Sequence, residues 1–133
     1  MPLKINVFPL EDKTDPRGSL VEIFKGSTLG QENWGQVYIV SINPGKTRAN
    51  HYHQYKNEWF FLAKGQVELT LQDITTQEKS SRLLDGTKPE LINIPPGMAH
   101  AVKNNSTDEA ILVAYIDYEF DAATPDTYSF NLT

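Results

Sequence analysis

Gly45-Lys46-Thr47-Arg48-Ala49-Asn50-His51-Tyr52-His53-Gln54-Tyr55-Lys56-Asn57-Glu58, followed after six further residues by Gly65, holds two of the three histidines in the chain. On a β-strand, residues two apart point to the same face, so His51 and His53 present adjacent imidazoles to one side. Four residues separate His53 from Glu58. That is room for a turn and the start of a returning strand, which brings the carboxylate beside the pair. Gly65 then permits the next tight turn, because glycine accepts a left-handed backbone.

The third histidine closes a second motif, Pro95-Pro96-Gly97-Met98-Ala99-His100-Ala101-Val102-Lys103-Asn104. Its Pro-Pro-Gly turn feeds a strand that carries His100. An isolated His-x-His is more often two unrelated histidines than a metal site. Here every histidine of the chain falls in one of two turn-and-strand motifs with a carboxylate nearby. His51, His53, Glu58 and His100 are therefore read as ligands of one divalent metal ion. Zinc is the first choice, and iron, nickel or manganese suit the same nitrogen and oxygen donors.

Outward from these motifs, turn signals recur at Asp15-Pro16-Arg17-Gly18, Asn43-Pro44-Gly45, Lys64-Gly65 and Asp85-Gly86. Between them lie short segments rich in β-branched and aromatic residues: 20–24, 37–42, 58–63, 67–71, 91–94 and 110–116. Val67, Leu69 and Leu71 alternate with Glu68, Thr70 and Gln72, the period of a half-buried strand. Strands at this spacing predict an all-β sandwich or barrel. Only Ser27 to Asn33 reads as a helical turn. The tail from Phe120, rich in Asp, Thr and Pro, is expected to run over the surface or along a neighbouring edge. Trp34 and Trp59 are read as packing residues, and Tyr52 and Tyr55 as facing away from the histidines.

The chain has 133 residues, no cysteine and a formal net charge of -5. This length suits a single domain over residues 1–133, which buries roughly two-thirds of the surface its unfolded form exposes. Without cysteine there are no disulfides, thiolate ligands or thiol nucleophiles. The acidic balance and the lack of a basic run argue against nucleic acid as a partner. No apolar run approaches the length of a membrane span, and the first residues lack the apolar core of a signal peptide. A cytoplasmic protein is the expectation.

Gly-x5-His-x-His-x4-Glu-x6-Gly is similar to the first motif of the cupin superfamily, and Pro-x-Gly-x2-His-x3-Asn to the second. Both are complete here, except that the glycine usual six positions before Pro95 is Pro89, with Gly86 nearby. The resemblance implies a jelly-roll β-barrel of two antiparallel sheets, with ligands facing the interior and often a homodimer. The flanks narrow it. Asp15-Pro16-Arg17-Gly18 and Arg48-Ala49-Asn50-His51-Tyr52 resemble enzymes of the dTDP-4-dehydrorhamnose 3,5-epimerase type, which are longer, metal-independent, and carry glutamine where this chain has His53. Closer still is the C-terminal cupin domain of capsular-polysaccharide-assembling proteins. It shares the Asp-x-Arg-Gly opening, the Asn-His-Tyr-His and Lys-Asn-Glu run, and a tail like Phe120-Asp121-x3-Pro125-Asp126-Thr127-Tyr128.

That resemblance implies a metal-binding epimerase or isomerase of a 4-keto sugar nucleotide in surface-polysaccharide biosynthesis. No Gly-x-Gly-x-x-Gly occurs, so no dinucleotide-binding half is expected. Arg17, Arg48 and Lys56 are candidates for gripping the nucleotide sugar, since guanidinium groups match phosphate oxygens. Each can equally be a solvated charge, and Asp15 with Arg17 can simply close a turn. If His51 ligates the metal, its lone pair is occupied and it cannot be the base. Tyr115, Tyr118, Lys56 or a metal-held hydroxide must then move the proton. Two other readings fit the ligand set: an iron-dependent dioxygenase, and a non-catalytic nucleotide-sugar-binding module.

Overall fold

The computed structural model describes residues 3–30 and 34–132. In chain order its elements are β1 (Asn6–Pro9), α1 (Gly26–Leu29), β2 (Gln36–Ile42), β3 (Thr47–Tyr52), β4 (Glu58–Lys64), β5 (Gln66–Asp73), β6 (Lys79–Asp85), β7 (Glu90–Ile94), β8 (Met98–Lys103), β9 (Ala110–Ile116) and β10 (Tyr128–Ser129). They form two five-stranded antiparallel sheets, ordered β1-β7-β4-β9-β2 and β10-β3-β8-β5-β6. Most neighbours within a sheet are distant in sequence, and the two sheets face one another as a jelly roll. The all-β fold expected from the two motifs is the fold the chain adopts.

The core lies between the sheets. Val67, Leu69 and Leu71 of β5 point into it, as do Phe60 and Leu62 of β4 and Leu112 and Ala114 of β9. Burying each of the larger side chains stabilises the fold by roughly 1.5–3 kcal/mol. β4 is covered on both faces. Its Trp59 and Phe61 point outward with Leu91 and Tyr115, under Leu10, Val21, Ile23, Phe24 and Leu29.

This cover corrects one expectation. Residues 20–24 do not form a strand. β1 takes the ladder beside β7, from Asn6↔Asn93 to Pro9↔Glu90. The apolar residues at 21, 23 and 24 lie over the outer face of that sheet instead. The helical turn is α1, closed by Gly30 in the left-handed region with φ 60°; residues 31–33 of the expected helix lie outside the described residues. Trp34 is the second correction. It is 81% exposed, although its ring approaches Tyr115 at 5.6 Å. Gly65 has φ 91°, the turn conformation expected of it.

Candidate metal centre

β3 and β8 pair so that His51 lies directly across from His100. His53 follows just past the end of β3. Glu58, the first residue of β4, faces them from the other sheet. The Pro-Pro-Gly turn locks the two motifs together, because the Gly97 N–H donates to the His53 carbonyl at 2.7 Å. One donor atom from each of His51, His53, Glu58 and His100 lies within 4.8 Å of all the others. The four residues singled out by spacing thus converge in the fold.

Their hydrogen bonds reveal which atoms face the centre. His53 Nδ1 donates to the Asp126 carbonyl at 2.5 Å, and His100 Nδ1 to the Met98 carbonyl at 3.0 Å. A carbonyl only accepts, so each Nδ1 carries a proton and each ring turns its Nε2 inward, where it can ligate a metal whenever the ring is neutral. Those Nε2 atoms lie 2.5 Å (His53) and 3.2 Å (His100) from Glu58 Oε1. Yet Glu58 Oε1 and His100 Nε2, both fully buried, lack a hydrogen bond of acceptable geometry. Among the described residues, these two polar atoms thus stand without a hydrogen bond in a dry interior. A buried carboxylate oxygen left without a hydrogen bond is costly, and a cation among these atoms removes the cost. The donor set and its orientation fit a divalent metal.

The surroundings tune the same groups. Burial, reinforced by the neighbouring imidazoles, lowers the His51 pKa to about 4. Burial works to raise the Glu58 carboxyl, but His100 and His53 outweigh it and hold it well below the usual carboxylate range. Burial likewise opposes protonation of His53, and the nearby Glu58 carboxylate and the Asp126 carbonyl outweigh it and raise its pKa. The Tyr38 hydroxyl donates to Glu58 Oε2 at 2.7 Å, leaving Oε1 for the imidazoles. Burial first, then the Glu58 charge, raises Tyr38 and keeps it protonated. Nothing in the sequence pattern marks Tyr38, since its contact depends on how β2 and β4 flank β9.

A cavity of about 320 Å³ opens beside the cluster, walled by Tyr38, His51, Glu58, Phe60, Arg48 and Leu112 among others. Strict alternation would set Arg48 on the face opposite His51. A bulge reverses this. Ala49 and Asn50 both adopt positive φ, 73° and 53°, and the register shifts between Ala49 and His51. Arg48 pairs with Val102 and His51 with His100, so both share the inward face. Arg48 Nε donates to the Ser41 carbonyl at 2.9 Å, leaving its terminal nitrogens for an anion.

The other singled-out residues lie elsewhere. Tyr115 points to the outer face of its sheet, beside Trp59, and accepts from the Gly35 N–H at 3.1 Å. It faces away from Glu58, because Glu58 and Trp59 alternate across β4. Tyr118 is partly exposed and packs edge-on against Tyr55 at 5.2 Å. Lys56 is buried, with its ammonium 5.8 Å from the Phe120 ring centre. Arg17 pairs with Asp15 at 2.6 Å on an exposed turn and is not among the residues that wall the cavity. Tyr52 turns away from the histidines and stacks on Tyr128.

A family model described as the polysaccharide biosynthesis C-terminal domain matches residues 13–128. The chain belongs to this family. This family member is 33% identical over 116 residues to the UDP-2-acetamido-2,6-beta-L-arabino-hexul-4-ose reductase of Pseudomonas aeruginosa, a match covering 87% of this chain and 30% of that protein. Among solved structures it resembles the capsular polysaccharide assembling protein CapF of Staphylococcus aureus, with TM-score 0.72 and 30% identity over 94% of this chain and 35% of that one. The chain thus spans about a third of the length of these two relatives. ChmJ, a 3'-monoepimerase from Streptomyces bikiniensis crystallised with dTDP-quinovose, superposes with TM-score 0.85 at 20% identity, covering 98% of this chain and 73% of its own. At that identity the likeness shows the fold. No helix among the described residues is long and apolar enough to cross a membrane.

Proposed function

We propose that this family member binds one divalent metal ion through His51, His53, Glu58 and His100 and is an epimerase or isomerase of a 4-keto sugar nucleotide in surface-polysaccharide biosynthesis, working in the cytoplasm as a homodimer. The observation that carries the reading is the convergence of the inward Nε2 atoms of His53 and His100 on a buried Glu58 Oε1 that has no hydrogen bond among the described residues, beside a cavity that Arg48 lines. The relatives support the substrate class by what their names say they act on or are crystallised with.

A bound divalent ion supplies Lewis-acid stabilisation of charge developing on a carbonyl oxygen. The chain's own residues do the rest. Arg48 offers terminal N–H groups to the diphosphate. Tyr38 holds Glu58 in orientation through Oε2, and Phe60, Val102 and Leu112 exclude water from the inner wall. His51, engaged as a ligand, is not the base. The loop between His53 and Glu58 carries Lys56, and Tyr118 packs on Tyr55 of that loop. Neither Lys56 nor Tyr118 walls the cavity, so a role for either in moving the proton beside the carbonyl requires the loop to shift on substrate binding.

The test is incubation of metal-loaded protein with UDP- and dTDP-linked 4-keto sugars in heavy water. Deuterium should enter the carbons next to the carbonyl. Tight nucleotide-sugar binding without exchange would overturn the epimerase in favour of a binding module. Iron-dependent oxygen uptake would overturn it in favour of a dioxygenase. Protein purified without a histidine tag should carry one metal ion per chain and have a mass in solution twice the 15.0 kDa of the chain.

A further inference from the structure

We propose that residues 126–132 form a strap that orients His53 for metal binding, with Asp126 as the positioning residue. This inference rests on the metal reading above. Asp126 is 1% exposed and belongs to a tail otherwise poor in buried residues. Its carboxylate accepts the backbone N–H groups of Gln54 at 2.9 Å, Tyr55 at 3.0 Å and Lys56 at 3.0 Å. Three consecutive amides converging on one carboxylate form a charge-assisted anchor. The anchored loop is the one that joins His53 to Glu58.

The carbonyl of the same residue accepts from His53 Nδ1. Asp126 therefore fixes the loop with its side chain and the imidazole with its backbone. Further along, Tyr128 and Ser129 pair with Tyr52 and His51. The Phe130 N–H reaches the Asn50 carbonyl at 2.8 Å, and the Leu132 N–H reaches Asn50 Oδ1 at 2.9 Å. The segment is stitched to β3 from the bulge to its end, alongside His51 and up to the residue before His53.

His100 shows why this concerns positioning and not bulk stability alone. Its Nδ1 is held by Met98, two residues away on its own strand. His53 has no such local acceptor and takes its tautomer from a residue 73 positions away. Loosening Asp126 should therefore release His53 and leave His100 unchanged. Groups that orient metal-binding histidines typically change affinity by about 10–100-fold when removed.

The test compares the full chain with Asp126→Ala and Asp126→Asn. Zinc affinity is read by competition with a chromophoric chelator. The imidazole nitrogens of the metal-free proteins are read by NMR near neutral pH, and their thermal unfolding is followed in excess chelator. We expect Asp126→Ala to bind zinc about 10–100-fold more weakly, with the Nδ1–H form of His53 lost and that of His100 kept. A folded Asp126→Ala protein with unchanged zinc affinity and an unchanged His53 tautomer would overturn the strap. So would equal loss of the Nδ1–H form at His53 and His100, which marks general loosening. If Asp126→Ala fails to fold, Asp126→Asn, which keeps the shape and one acceptor oxygen, is judged by the same criteria. Should the parent protein bind no zinc, the metal reading falls by itself, and the tautomer comparison alone decides the role of Asp126.

Discussion

At the scale of residues, the sharpest feature is the backbone at Ala49 and Asn50. Both residues have positive φ; Ala49 carries a cost of roughly 1–2 kcal/mol there, whereas asparagine tolerates that region better. The strand accepts it, and in exchange Arg48 turns to the same side as His51. Ala49→Gly should relieve the strain at that residue while loosening the unfolded chain, leaving stability unchanged or higher by up to about 1 kcal/mol. Urea denaturation measures it, and a loss above that size would show that the Ala49 methyl is needed for packing. The candidate ligands were legible because His51 and His53 stand two apart, because His100 follows a Pro-Pro-Gly turn, and because Gly65 and Gly97 mark turns. Arg48 could be suspected from its place in the motif, but not its facing, because a bulge leaves no mark on a periodicity argument. Tyr38 was invisible for a related reason: its bond to Glu58 crosses between strands that are not neighbours in sequence.

At the scale of elements, β5, β7 and β9 were readable because each has an apolar core stretch bounded by turn residues. β6 was not. It is an edge strand in which only Leu84 is buried, and its lysine, serines and arginine give no apolar alternation. Residues 20–24 failed in the opposite direction. Their apolar pattern correctly marks burial, but burial against the face of a sheet and pairing at its edge look alike in sequence. Gly35 shows how tightly the start of β2 is held. A Cβ there would sit 1.8 Å from the Ile116 carbonyl oxygen on β9, a backbone atom that cannot swing aside. Gly35→Ala should therefore destabilise the protein by about 2–3 kcal/mol, the upper range for overpacking. An unchanged urea midpoint would mean that β2 and β9 do not approach so closely.

For the whole molecule, the candidate metal centre spans the two sheets: His51 and His100 come from one, Glu58 from the other, and His53 from the loop that joins them. A metal bound between them should act as a cross-sheet tie. With free metal at about 100 times its dissociation constant, linkage stabilises the native state by roughly 2.7 kcal/mol, or about 8–12 °C in melting temperature for a chain of this size. Calorimetry with and without a chelator measures the shift, and an identical melting temperature would deny the tie. The fold class was legible from the whole sequence, whereas Asp126 could not be recognised before the tail was seen against β3. That tail sets a timetable. His53 leaves the ribosome 73 positions ahead of Asp126, an interval of about 4–15 s at ordinary rates of synthesis. Throughout it, the nascent histidine is free to offer either nitrogen to a passing ion. On the proposed metal reading, correct loading waits until Asp126 has been made, and a cell that delivers metal earlier would load a site whose geometry has not yet been set.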